Sequence, residues 1–187
     1  MVDDLIVAAA GENLKVEIGE TDPSAVVVEA VAPYRALGLH IPASLDPGRV
    51  LADPIRLRHL LGNLLANAVA HGGARCCVVG KARDDRYVIH VIDDGVGVPE
   101  ERRRRLFERF VHDGASAVQE GSVGLGLANA RLLAEKMGGS LSYRRDAGLT
   151  SFEVALPACP AAQERPFVGP SPPAVRRSPV LEDSARA

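Results

Sequence analysis

The stretch DPIRLRHLLGNLLANAVAHGG, Asp53–Gly73, decides how the rest of the chain is read. Asp53 is a helix N-cap type and Pro54 suits the first helical position. Leu57, Leu60, Leu61, Leu64, Leu65 and Ala68 recur at the spacing of one helix face until Gly72-Gly73 stops the run. This predicts a helix with one side buried. Beside that side His59, Asn63, Asn67 and His71 follow at i, i+4, a polar stripe along the same helix. Asparagine is a poor interior helix residue, so two of them bordering a core face need a reason. One reading is a solvated flank. The other is a wall facing a ligand, with amide oxygens offered to a hard cation such as Mg2+.

Upstream, Asp22-Pro23-Ser24 opens a helix over Ala25–Leu37, and Leu39, Ile41, Ala43 and Leu45 alternate as a half-buried strand does. Downstream, strand-like runs Ala74–Ala82 and Arg86–Ile92 flank the turn formers Asp84-Asp85. A helix over about Pro99–Phe110, a loop Val111–Val123 and a helix over about Leu127–Met137 follow, then strands Ser140–Arg144 and Thr150–Leu156. The order α-β-α-β-β-α-α-β-β predicts an α/β fold, a two-layer sandwich of one mixed sheet with helices on one face.

Composition bounds the function. A chain of 187 residues, 47% hydrophobic and 25% charged, suits one core. Seven of the 13 prolines fall in the last 31 residues, where apolar periodicity stops, so 158–187 is expected to be a disordered Pro-rich tail. A net charge of -2 argues against binding nucleic acid or membrane by bulk charge, and Arg102–Arg105 read as a solvated face paired by Glu100, Glu101 and Glu108. Three cysteines, two of them adjacent, fit neither a disulfide framework nor a metal spacing and point to a reducing cytoplasm. No leader and no 18-residue apolar run is visible, so this chain is expected neither to be exported nor to span a membrane itself.

Two glycine-bearing segments complete the candidates. Asp93-Asp94-Gly95-Val96-Gly97 follows an apolar run and sets a carboxylate, an acceptor for an exocyclic amine, beside glycines that allow close backbone approach. Gly121-Ser122-Val123-Gly124-Leu125-Gly126 opens the helix Leu127–Met137, where backbone N–H groups at the positive end of the dipole suit phosphate oxygens. No strand enters these glycines and no Gly-Lys-Ser/Thr follows, which excludes the Rossmann fingerprint and the Walker A loop.

Taken together and in this order, Asp53–Pro157 resembles the ATP-binding catalytic domain of sensor histidine kinases, within the wider ATPase superfamily that includes gyrase and MutL. Four blocks carry the resemblance: the N box Asn63–Ala68, the first glycine box Asp93–Gly97, the F box Leu106–Phe110 and the second glycine box Gly124–Leu127. It implies that Asp93 accepts from the adenine amino group while Gly95 and Gly97 let backbone pass the base. Asn67 would ligate Mg2+, and Asn63, the catalytic position, would face the γ-phosphate. His71, His112, Gly124, Leu125 and Gly126 complete the implied ATP contacts, with Val111–Val123 as the lid and Phe107 and Phe110 anchoring it. ATP and Mg2+ are the implied cofactors. The chain departs from the family at Ala70 and His112, where a Lys or Arg usually touches phosphate.

The residue at 63 discriminates within the superfamily. Members that activate water, and anti-sigma serine kinases, carry a glutamate base there. An asparagine cannot take a proton, which favours transfer to histidine, whose neutral imidazole is itself the nucleophile. None of the five histidines stands where an acceptor is expected. The acceptor is therefore expected on a dimerisation and histidine-phosphotransfer module in trans, with a response regulator acting after it. Residues 1–21 resemble the end of a dimerisation helix and its lead-in strand, 22–157 the catalytic domain, so the chain reads as a fragment of a longer kinase or half of a split one. Any membrane association would come through a partner or a missing segment. A non-catalytic nucleotide-binding regulatory module and an anti-sigma-type serine kinase stay as alternatives.

Overall fold

The computed structural model describes residues 2–109 and 125–159. At its centre is α3, Pro54–His71, capped by Asp53, whose Oδ1 accepts from the N–H groups of Ile55 at 3.0 Å and Arg56 at 3.1 Å. Its other oxygen accepts from Glu17 N–H at 2.9 Å and so fastens the lead-in segment to the helix start. The face with Leu57, Leu60, Leu61, Leu64 and Leu65 is buried, and each such leucine contributes roughly 1.5–3 kcal/mol of hydrophobic stabilisation. Helix α1 spans Val2–Ala10, α2 spans Pro23–Ala36 behind the N-cap Asp22, and α5 spans Gly126–Lys136.

The main sheet holds β2 (Ala43–Leu45), β4 (Cys76–Arg83), β5 (Arg86–Asp93), β6 (Ser140–Asp146) and β7 (Leu149–Pro157), in the order β2-β4-β5-β7-β6. β2 lies parallel to β4 and the other pairs are antiparallel, which makes the sheet mixed. The β6–β7 turn has Ala147 at φ 46° and Gly148 at φ 82°, the two positive angles that match a tight hairpin to strand twist. Tyr87, Ile89 and Val91 on β5, with Phe152, Val154 and Leu156 on β7, enter one core with the helices. His90, Ser151 and Glu153 are on the opposite face, so among the described residues helices cover one face and the expected two-layer α/β sandwich is found. A second, two-stranded sheet pairs β1 (Gly19–Thr21) with β3 (Val50–Ala52).

Several expectations need correction. The alternation from Leu39 to Leu45 yields a strand only over Ala43–Leu45; Ile41 is buried but Leu39 and His40 precede the strand and are exposed. The helix expected over Pro99–Phe110 is a single turn, α4, Glu100–Arg103. After it the bonds become i to i−3, from Arg105 N to Arg102 O at 3.0 Å and from Glu108 N to Arg105 O at 3.0 Å. Four consecutive arginines repel at i, i+3 and leave no apolar stripe to hold a longer helix. The arginines are exposed, as expected, and Arg105 pairs with Glu108 at 2.7 Å. Strand β1 falls within the expected lead-in 1–21, whereas β3 leaves no sequence signal, because three residues carry no periodicity. Pairing also continues past Pro157, with Ala158 N donating to Asp85 O and Cys159 N to Arg49 O, both at 2.8 Å. Residues 160–187 lie outside the described residues.

Candidate functional site

Helix α3 carries the site because its polar stripe escapes the core. Asn63 and Asn67 are half-buried and His71 is exposed in the last turn. From Asn63 to His71 the stripe rises eight residue steps, about 12 Å of helix. Each end meets a different element.

At the His71 end stands the Asp93–Gly97 segment. Asp93 closes β5, is 5% exposed, and takes a hydrogen bond from Gly95 N–H on Oδ1 at 2.9 Å. Among the described residues its other oxygen has no hydrogen-bond partner. Burial raises the Asp93 pKa, and the Asp94 charge adds to this; the Gly95 N–H, Arg145 and His71 work against it. Asp94 does a different job. Its Oδ1 accepts from Arg75 N at 2.8 Å and its Oδ2 from Arg75 Nε at 2.9 Å, bonds that lower its pKa and tie the loop to the approach to β4. The glycines also have internal reasons. A methyl group at Gly95 would run into the His71 carbonyl and lie 2.7 Å from Gly72 Cα, while Gly97 has φ 71° and a guanidinium, Arg145, directly beneath it. Their freedom serves the protein's own packing before it serves any base.

At the Asn63 end stands the start of α5. Leu125 is buried, Gly126 begins the helix with no side-chain cap among the described residues, and a methyl on Gly126 would lie 3.9 Å from the Asn63 side chain. Uncapped first-turn N–H groups are an anion-binding arrangement. Gly124, His112, Phe110 and the loop 111–123 lie outside the described residues. Phe107 is packed against the core under Arg131, whose guanidinium carbon is 5.6 Å from its ring centre.

The acidic neighbour of Asn63 was not anticipated. Asp4 of α1 accepts on Oδ1 from Asn63 Nδ2 at 3.1 Å and lies 2.9 Å from His59 Nε2. Asn129 of α5, fully buried, donates from Nδ2 to the Asp4 carbonyl at 2.9 Å, and its own Oδ1 is left without a partner. Arg109 donates to Ala8 O at 3.1 Å, and Val7 is completely buried, so α1 is seated over this end of the stripe. Burial acts to raise the Asp4 pKa, but the hydrogen bonds from His59 and Asn63 and the His59 charge outweigh it and leave the value lowered. His59 belonged to the polar stripe. Asp4 and Asn129 gave only faint local signals, an acid in an apolar N-terminal run and an amide on the inward side of an Ala/Leu helix.

The residues fit a divalent cation carried by a ligand better than a resident one. Among the described residues no three His, Cys, Asp or Glu side chains gather into a metal cage. The Asn67 carboxamide, half-buried, has no hydrogen-bond partner among them and can offer one oxygen. Ala70, one residue short of the helix end, is exposed and brings no charge.

Residues 52–160 match the histidine kinase-, DNA gyrase B-, and HSP90-like ATPase family. The chain is 33% identical over 165 residues to a probable sensor histidine kinase, TcrY, of Mycobacterium tuberculosis, covering 84% of this chain and 35% of that protein. It is 35% identical over 157 residues to the sensor histidine kinase RcsC of Escherichia coli, covering 78% of this chain and 16% of that protein. The chain thus spans about a third or less of these relatives. Among solved structures, full-length ShkA in complex with AMPPNP superposes with a TM-score of 0.69 at 27% identity, over 86% of this chain and 35% of that one.

Proposed function

Because the chain belongs to the histidine kinase-, DNA gyrase B-, and HSP90-like ATPase family, with an ATP-binding domain of the sensor-histidine-kinase type, we propose that it transfers the γ-phosphoryl group of ATP to a histidine on another chain or module. The observation that carries this reading is the single α3 stripe with Asp93 at one end and the start of α5, its N–H groups facing the Asn63 end, at the other. A base suits the first and phosphates the second. The free oxygen of Asp93 would accept from the adenine amine, and the first N–H groups of α5 would donate to phosphate oxygens. Asn67 would hold Mg2+ brought in on the phosphates, and that ion, when bound, neutralises phosphate charge. Asn63 is neutral and cannot act as base. It would orient the terminal phosphate toward an imidazole nucleophile, whose leaving proton it does not need to take.

The partner would be a dimerisation and histidine-phosphotransfer module in trans, with a response regulator after it. A cytoplasmic setting is part of the same proposal; among the described residues no helix is long and apolar enough to cross a membrane. Two observations favour a second reading, a nucleotide-binding regulatory module without transfer. Asp4 occupies the Asn63 amide, and Ala70 leaves the helix without a phosphate cation.

Incubation with γ-labelled ATP, Mg2+ and an added dimerisation module separates the readings. Label on a histidine of the module, with none on this chain, is expected of the kinase. ATP binding without any label on the module would leave the regulatory reading standing instead, and acid-labile phosphate on this chain alone would overturn transfer in trans.

A further inference from the structure

We propose that Arg145 is a positioning residue for base recognition, a clamp that holds the Asp93–Gly97 loop so that the Asp93 carboxylate stays presented to the nucleobase. The inference rests on Asp93 being the adenine acceptor.

The sheet register places the clamp. Arg145 on β6 stands opposite Thr150 on β7, and Thr150 stands opposite Asp93 on β5, so one rung crosses three strands and ends at the loop. One Nη of Arg145 donates to Thr150 Oγ1 at 3.0 Å and to Gly95 O at 3.0 Å. Both hydrogens of that nitrogen are thereby used, one on the sheet and one on the loop. Gly95 is held at both faces of its backbone, its carbonyl by Arg145 and its N–H by Asp93 Oδ1. Turning that residue would release the carboxylate oxygen and free it to rotate away from the base. Gly97 sits directly on the guanidinium, at φ 71°, while Val96 between the two glycines is 90% exposed. The loop is pinned from beneath and open above.

The clamp also places a permanent cation near a buried carboxylate. Asp93 faces His71 from α3, Asp94 from its own loop, Arg145 from β6 and Cys76 from β4. The Cys76 thiol is pushed up to about 12, by burial first, and so brings no charge at neutral pH. Arg145 opposes the upward push of burial on Asp93. A lysine would keep the charge and could still donate from one nitrogen, but it lacks the flat, pre-organised guanidinium on which Gly97 sits.

Titration calorimetry of the whole chain with ATP and with inosine triphosphate, which has a carbonyl where adenine has its amine, tests this from about pH 3.5 to pH 8. Arg145→Gln is expected to weaken ATP about tenfold while leaving inosine triphosphate nearly unchanged, so that the preference for ATP collapses. The pH at which acid abolishes ATP binding should move upward. Arg145→Lys should keep the wild-type pH midpoint and recover only part of the preference. Gly97→Ala, which strains the loop at φ 71° and pushes the Arg145 guanidinium aside, should also lose the preference. If folded Arg145→Gln keeps the wild-type ratio and midpoint, or loses both nucleotides by the same factor, Arg145 is only structural and the proposal fails. Absence of ATP binding by the wild-type chain would instead refute Asp93 as the adenine acceptor, and the clamp with it.

Discussion

Asp93 and Asn63 stand at opposite ends of one helix stripe, and each is held by a charged partner of different origin. Asp93's loop is clamped by Arg145, two strands away in the same sheet, through a register shared by β5, β7 and β6. Asn63 is held by Asp4, on a nine-residue helix at the start of the chain. Breaking the sheet register to loosen the first would expose Phe152, Val154 and Leu156. Lifting α1 to loosen the second costs the burial of little more than Val7 and a few polar bonds. The Asp93 end is therefore preset by the fold, and the Asn63 end answers to what is seated on it.

Asp93→Asn should break the comparison most. Its amide can turn a donor toward the adenine amine, so ATP affinity measured by calorimetry should fall by about a hundredfold or more. Thermal stability should not fall with it. The raised pKa means that ionised Asp93 costs stability above that pKa and not below the ordinary aspartate value, so a neutral residue relieves a cost at pH 7. A large drop in melting temperature would show that Asp93 is a structural residue instead.

Next in size is Asp4→Asn, which removes a negative charge from the place where phosphate would lie. ATP should bind roughly fivefold to tenfold more tightly, about 1 kcal/mol, and unchanged or weaker binding would place α1 outside the phosphate path. Ala70→Lys restores the cation that the family usually carries. Because position 70 is exposed, the gain in affinity should be about threefold and should vanish in high salt.

The smallest effect is an order of events in acid. Asp4's lowered pKa gives stability that is full above the ordinary aspartate value and is lost only as pH falls through the lowered one. Asp93 protonates earlier, from above the ordinary value. On acidification ATP binding should therefore disappear before α1 lifts, with proteolysis near the exposed Leu5 and Ile6 reporting the second event. Release of α1 first would contradict the assignment of the two carboxylates.

What could be read in advance follows the range of the interactions. The α3 cap, its leucine face and the Asn63–Asn67–His71 stripe are local, written within one helix, and the structure keeps them all. The aspartate and glycines of 93–97 were legible as a loop, but not why glycine is needed, because the atoms that a Cβ would strike belong to His71, Gly72 and Arg145. Asp4 to Asn63 spans 59 positions, Asp4 to Asn129 spans 125, and Gly95 to Arg145 spans 50. No local pattern reports such pairs. Arg145 did leave a trace: on β6 it shares its side of the strand with Leu141 and Tyr143, which are turned inward, an odd place for a guanidinium without a partner to reach. The false long helix at 99–110 shows the reverse error, good helix formers with no face to bury.

The Asp4 seat has one more consequence. If α1 and the terminal phosphate both need the Asn63 amide, their binding is linked, and linkage is reciprocal: whatever factor the seated helix takes from nucleotide affinity, bound nucleotide takes from the seating of the helix. Filling the site would then hand the start of the chain back to solvent, and anything joined to that end would receive the news as a freed helix.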